Sequence, residues 1–161
     1  MKKAIIIGCP GGGKSTFAKR LHDITKIPLF HLDLMYWNPD KTTVPKEVFQ
    51  RKLQKVMEQD QWILDGNYSS TMALRMQACD TVFFLDIPVE QCLEGVRERK
   101  GKPRSDIPWV ETEDDAAFLA FIENYQAVSR PRVMELLERC AGREIHIFKN
   151  REEADAYLRL L

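Results

Sequence analysis

Short, nearly unbroken apolar runs alternate along this chain with longer stretches whose apolar positions recur at helical spacing. The runs are "KAIIIG" (3–8), "IPLFHLD" (27–33), "WILDG" (62–66), "TVFFLDIP" (81–88) and "REIHIF" (143–148). Apolar runs of about four to eight residues, rich in β-branched and aromatic side chains, read as strands buried on both faces. Between them, "KSTFAKRLHD" (14–23), "SSTMALRMQA" (69–78) and "VEQCLEGVRER" (89–99) predict helices. "VPKEVFQRKLQKVMEQ" (44–59) sets Val48/Phe49, Leu53 and Val56/Met57 on one helical face. Pro45 sits near its start, where a missing N–H costs nothing. The rhythm breaks at "KGKPRSDIPWVETE" (100–113), a polar stretch with two prolines and a glycine that reads as a loop. "DDAAFLAFIENYQAV" (114–128) resumes as a helix capped by Thr112, with Phe118, Phe121/Ile122 and Tyr125 aligned. "RPRVMELLERC" (130–140) is a separate helix, and "REEADAYLRLL" (151–161) closes the chain as another.

Strand–helix alternation predicts an α/β fold: parallel strands joined by right-handed crossovers, with helices on both sheet faces. Ligands of such sheets bind beyond the carboxyl ends of the strands. Three strands carry Asp at that edge, in "HLD" (Asp33), "ILD" (Asp65) and "FLD" (Asp86).

A glycine-rich segment lies at the same edge. "GCPGGGKS", Gly8 to Ser15, matches G-x-x-x-x-G-K-[ST] without a mismatch, after a strand and before a helix. Bare backbone at Gly8, Gly11, Gly12 and Gly13 lets N–H groups wrap closely around phosphate, and the helix adds the positive end of its dipole. Lys14 reaches the β/γ-phosphates of ATP, the Ser15 hydroxyl ligates Mg²⁺, and Thr16 adds a hydroxyl at the α-phosphate. Cys9 within the loop is either a small filler or a thiol activated by the surrounding dipoles.

Composition narrows the picture. Among 161 residues, 24 Lys+Arg balance 24 Asp+Glu, which gives no support for broad attraction to nucleic acid or membrane. Cys9, Cys79, Cys92 and Cys140 are scattered without metal-ligand spacing and read as reduced thiols of a cytoplasmic protein. The first strand begins almost at Met1, so no signal peptide is expected.

Beyond the loop, "WILDGNY" (62–68) resembles the Asp-Gly-Phe-Pro-Arg segment of adenylate kinase-like nucleoside monophosphate kinases, and "TVFFLDIP" resembles their strand ending in Asp-x-Pro. With "HLDLMYW" (31–37) and "RPR" (130–132), the chain looks most like the small bacterial DNA topology modulation (FlaR-related) proteins within that P-loop group. The resemblance spans nearly the whole chain and implies a five-stranded parallel sheet, a short lid at about 97–113 and ATP binding. Two positions depart from the adenylate kinase pattern. Gly66-Asn67-Tyr68-Ser69 lacks the acceptor-binding arginine, for which Arg75 is the substitute, and Gly95 stands near the position of the base-stacking arginine. Both weigh against ordinary AMP phosphorylation.

Asp65 is the candidate for a second Mg²⁺ contact, or else a turn residue with Gly66. Asp33 is either the base that accepts a proton from an acceptor hydroxyl or a turn residue. Asp86 reads as a helix N-cap. "RERKGKPR" (97–104) holds five basic residues: a lid whose Arg97, Arg99 or Arg104 closes on the transferring phosphoryl group, a nucleic-acid patch, or a solvated loop. Arg130 and Arg132 are lesser candidates, for acceptor binding or for a cap or salt bridge. Trp37 and Trp109 are pocket candidates, while Trp62 belongs to the core.

The sequence therefore predicts a phosphotransferase that moves the γ-phosphoryl of Mg·ATP to a small acceptor, by family analogy a nucleotide or nucleoside. In that reading Lys14, Asp33, Arg99 and Arg104 are catalytic. Asp33, Trp37, Arg75 and Arg130 face the acceptor, and Ser15 and Asp65 hold the metal. The rival is a nucleotide-dependent regulator acting on DNA topology or a protein partner without turnover. A monomer or small homo-oligomer without membrane contact is expected in either case.

Overall fold

A computed structural model describes residues 1–161. Strands β1 (Lys3–Gly8), β2 (Leu29–His31), β3 (Trp62–Asp65), β4 (Thr81–Leu85) and β5 (Glu144–Phe148) form one all-parallel sheet in the order β2-β3-β1-β4-β5. Helices α1 (Lys14–Thr25), α2 (Leu32–Tyr36), α3 (Lys46–Met57), α4 (Ser69–Ala78), α5 (Val89–Arg99), α6 (Ala116–Glu123), α7 (Tyr125–Glu138) and α8 (Arg151–Arg159) occupy the connections. Successive strand residues point to opposite sheet faces. Ala4, Ile5, Ile6 and Ile7 of the central strand are all fully buried, so the sheet is covered on both sides. On one side Phe17 of α1 packs 5.1 Å from Phe83 and 5.6 Å from Phe148 between ring centroids. Those contacts tie the helix after the glycine loop to β4 and β5. No helix is long and apolar enough to cross a membrane.

Three local expectations are corrected. The second apolar run yields only three strand residues, because its pairing ends at His31↔Asp65, where β3 itself ends. The chain then turns into α2, which puts Asp33 in a helical first turn rather than at a strand end. The break between α6 and α7 falls at Asn124, not between residues 128 and 130. Asn124 leaves helical geometry at φ −93° and ψ 0°, and both its backbone N–H and its side-chain amide donate to the Ala120 carbonyl, at 3.0 and 2.9 Å. Pro131 lies inside α7, an interior position that costs about 3 kcal/mol by itself and is held here by burial of Val133 and Leu137. The cap of α6 is Asp115, whose carboxylate accepts from the N–H groups of Ala117 and Phe118 at 3.0 and 3.1 Å, rather than Thr112.

Candidate active site

The carboxyl edge of the sheet opens into a cleft of about 1120 Å³ that runs from α8 across the glycine loop to α2. At its centre, the loop and the first turn of α1 leave the backbone N–H groups of Gly13, Lys14, Ser15 and Thr16 without a protein acceptor. Gly12 N–H donates to Cys9 O at 3.1 Å. Orphan donors at a helix N-terminus, next to a lysine that lines the same cleft, make a cradle for phosphate. The loop is held from outside by close backbone approach. Gly11 has φ +83°, and a Cβ there would lie 2.0 Å from the Cys92 carbonyl oxygen of α5.

The same packing explains an anomaly of the sequence. A Cβ on Gly95 would lie 2.2 Å from the Gly11 carbonyl oxygen, so no side chain fits where the adenylate kinase pattern has an arginine. Arg151, at the start of α8, occupies the neighbouring space and donates to Gly11 O at 3.0 Å. Cys9 is buried, and Cys92 lies against it. The neighbouring sulfur and burial both push the Cys9 thiol up, so it is not an activated thiol.

On the β3 side of the loop, two carboxylates converge on one hydroxyl. Ser15 Oγ lies 2.9 Å from Asp65 Oδ2 and 2.8 Å from Asp106 Oδ2. A hydroxyl has one proton and cannot satisfy both. Asp65 is 4% exposed; its Oδ2 also meets His31 Nδ1 at 2.7 Å, while its Oδ1 is buried without a partner. Two carboxylates, a hydroxyl and an orphaned oxygen beside a phosphate cradle fit a hard divalent cation. Asp106 and His31 are absent from the sequence-based site. The signal for Asp106 was its spacing from Arg104, which grips it at 3.0 and 2.6 Å. Burial raises the Asp106 pKa, but the hydrogen bonds and charge of Arg104 outweigh it and hold the carboxyl below its ordinary value.

Beyond this cluster lies an aromatic end. Tyr68 donates its hydroxyl to Asp33 Oδ1 at 2.5 Å. Tyr36 packs 5.0 Å from Tyr68 and 5.3 Å from Trp37, and Trp37 meets Trp109 edge to face at 5.5 Å. The Lys41 ammonium stands 5.8 Å from the Trp109 ring centre. Asp33, Trp37 and Trp109 line the cleft. Burial raises the Asp33 carboxyl above the ordinary aspartate value, against the Tyr68 hydrogen bond and the Lys14 charge. Gly66 closes the floor: at φ +145°, a Cβ would lie 2.9 Å from that of Leu32.

The arginines divide sharply. Arg75 does not face the cleft. It is fully buried and donates to Thr71 Oγ1 at 3.1 Å and to the carbonyls of Gly66, Asn67 and Tyr68. Burial lowers its pKa to about 10, so it stays charged at neutral pH while it clamps the loop after β3. Arg130 likewise lies outside the cleft, in a bidentate pair with Asp86 at 2.9 Å. Asp86 is thus an ion-pair partner and caps no helix through its side chain. Arg104 and Arg99 do line the cleft. Arg104 pairs with Asp106 and, at 3.0 Å, with Glu111. Arg99 stands 3.7 Å from Glu111, and its Nε has no hydrogen-bond partner.

A parallel sheet ordered β2-β3-β1-β4-β5, with a glycine loop after its central strand, defines a fold of the P-loop kinase kind. The chain superposes on shikimate kinase from Acinetobacter baumannii in complex with shikimate at a TM-score of 0.62 and 17% identity, covering 99% of this chain and 92% of that one. It superposes on deoxyadenosine kinase from M. mycoides with bound dATP at a TM-score of 0.58 and 14% identity, covering 98% and 96%. In sequence it is 30% identical over 88 residues to the adenylate kinases of Thermotoga petrophila and Thermotoga maritima. That match covers 53% of this chain and 39% of the length of those relatives. No family model matches the chain.

Proposed function

We propose that this protein is a kinase that transfers the γ-phosphoryl group of Mg·ATP to a small acceptor bound at the α2 end of the cleft. The observation that carries the reading is the row of unpaired N–H donors at Gly13–Thr16, with Lys14 beside them and the Ser15–Asp65–Asp106 cluster adjacent. Those donors and Lys14 bind the phosphates. Ser15 and Asp65 hold Mg²⁺, with Asp106 at the same hydroxyl. A divalent cation held there would supply charge neutralisation to the phosphate oxygens. Arg99, whose Nε makes no hydrogen bond, and Arg104 supply positive charge as negative charge builds on the phosphoryl oxygens in transfer. Arg151 at the start of α8 and Phe118 of α6, which both line the cleft, flank the base.

The regulatory alternative draws its support from the basic segment 97–104. Several of those charges are already matched within the lid: Lys100 with Asp114 at 3.0 Å, and Arg104 with Asp106 and Glu111. Arg97 and Lys102 are left without an acidic partner, too few charges for tight DNA binding, and we favour the kinase. The test is calorimetric titration of Mg·ATP alongside an assay of ADP release with an acceptor panel, using Lys14→Ala as control. We expect ATP binding that weakens in the variant and turnover reduced by about 10³-fold or more. Equal affinity and turnover in both proteins would refute the assignment.

A further inference from the structure

The acceptor end of the cleft has the chemistry of an alcohol site and lacks that of a phosphate site. A phosphate monoester is recognised by guanidinium groups in bidentate contact. The arginines proposed from the sequence for that task are used elsewhere, Arg75 beneath the loop after β3 and Arg130 on Asp86. Arg99 and Arg104 pair with Asp106 and Glu111 beside the phosphate cradle, where they serve the group in transfer. The acceptor end carries the Lys41 ammonium over the Trp109 ring but no guanidinium fork, and its carboxylate, Asp33, is oriented by the Tyr68 hydroxyl at 2.5 Å. A dianionic phosphate placed there would meet a like charge, whereas a hydroxyl would meet a proton acceptor. Around it stand the edges and faces of Tyr68, Trp37 and Trp109. Such a wall favours a flat or ring-shaped body.

From these contacts we infer that the acceptor is an uncharged, ring-bearing alcohol of the nucleoside kind and not a nucleoside monophosphate, with Asp33 as its base and Trp37 and Trp109 as the platform for its ring. This rests on phosphoryl transfer at the glycine loop. The acceptor oxygen attacks the γ-phosphorus of ATP; the new O–P bond forms as the bond to the β,γ-bridging oxygen breaks. The bridging oxygen keeps the electron pair and leaves as ADP. The hydroxyl proton passes to Asp33 and from there to solvent, so one alcohol and one ATP give one phosphate monoester, one ADP and one proton.

The test compares adenosine and thymidine with AMP and dTMP, and with glycerol as an alcohol lacking a ring. ADP release and tryptophan emission are both recorded; two of the three tryptophans lie at this end, so emission reports occupancy. Nucleosides should stimulate ADP release at least 10-fold more than the monophosphates or glycerol and should alter the emission. Trp109→Ala should raise the KM for the nucleoside with a smaller change in kcat. Asp33→Asn should lower kcat by about 10²–10⁴-fold while the emission change on nucleoside binding persists. Stimulation by AMP or dTMP above that by nucleosides would overturn the inference and leave the kinase reading standing. So would full turnover of nucleosides by Asp33→Asn. ATP binding without stimulation or emission change by any of the five compounds would overturn both.

Discussion

The two ends of the proposed reaction cleft are built by opposite strategies. The phosphate cradle is a single stretch of chain, Gly8 to Thr16, and works through backbone: unpaired N–H groups, positive-φ glycines and a helix start. The acceptor end is assembled from side chains on four separate segments: Asp33 and Trp37, Lys41, Tyr68, and Trp109. A site made of backbone has strict requirements at glycine and little tolerance for change. One made of side chains leaves room for specificity to be altered residue by residue. Stability follows the same division, because the acceptor end depends on a buried arginine that holds the lining residues Gly66, Asn67 and Tyr68 from behind without itself lining the cleft.

If the cradle is a backbone site packed on α5, a single methyl group should break it. Gly11→Ala places a Cβ against the Cys92 carbonyl in a left-handed region unfavourable to alanine, and should cost more than 100-fold in ATP affinity, read by calorimetry. Retained affinity would show that the loop moves freely from α5. Arg75→Ala tests the other end. Removing the guanidinium strands the carbonyls of Gly66, Asn67 and Tyr68, and should destabilise the fold by about 3 kcal/mol in urea titration. ATP affinity should change little in protein that remains folded, since Arg75 does not line the cleft.

The smallest effect sharpens the comparison most. Asp33 has a carboxyl pKa raised in the folded protein above the ordinary value of 3.8. The folded state therefore holds this proton more tightly than the unfolded chain. The Asp33 contribution to stability falls as pH rises from that ordinary value through the raised one, and the cost remains at neutral pH. Asp33→Asn should raise the melting temperature by a few degrees at pH 7 and by nothing near pH 3, while turnover is lost. A stability gain with an activity loss marks a group held in an unfavourable state for function. A destabilised variant at pH 7 would make Asp33 a structural residue.

The sequence disclosed the two ends unequally, for the same physical reason. The glycine motif, the five strands and the Asp65 strand end lie in contiguous residues whose spacing is their signature. The role of Gly95 depends on its distance to Gly11, and that of Arg151 on the approach of α8, neither of which has a local pattern. Arg75 was misread because a lone arginine on an amphipathic helix gives no sign of which face is buried. The helix boundary expected between 128 and 130 was misplaced because nothing local marks Asn124 as the break or shows that α7 runs on through Pro131. Asp106 was hidden within a loop whose basic residues drew attention away from the carboxylates that neutralise them.

Phosphorus-31 NMR of the protein with Mg·ATP and thymidine tests the central claim most directly. The account predicts loss of the γ-phosphate resonance, growth of ADP, and a new phosphate monoester signal in equal amount, absent with Lys14→Ala. Release of inorganic phosphate alone would identify an ATP hydrolase. An unchanged ATP spectrum with thymidine and with every other acceptor in the panel would contradict phosphoryl transfer at this cleft.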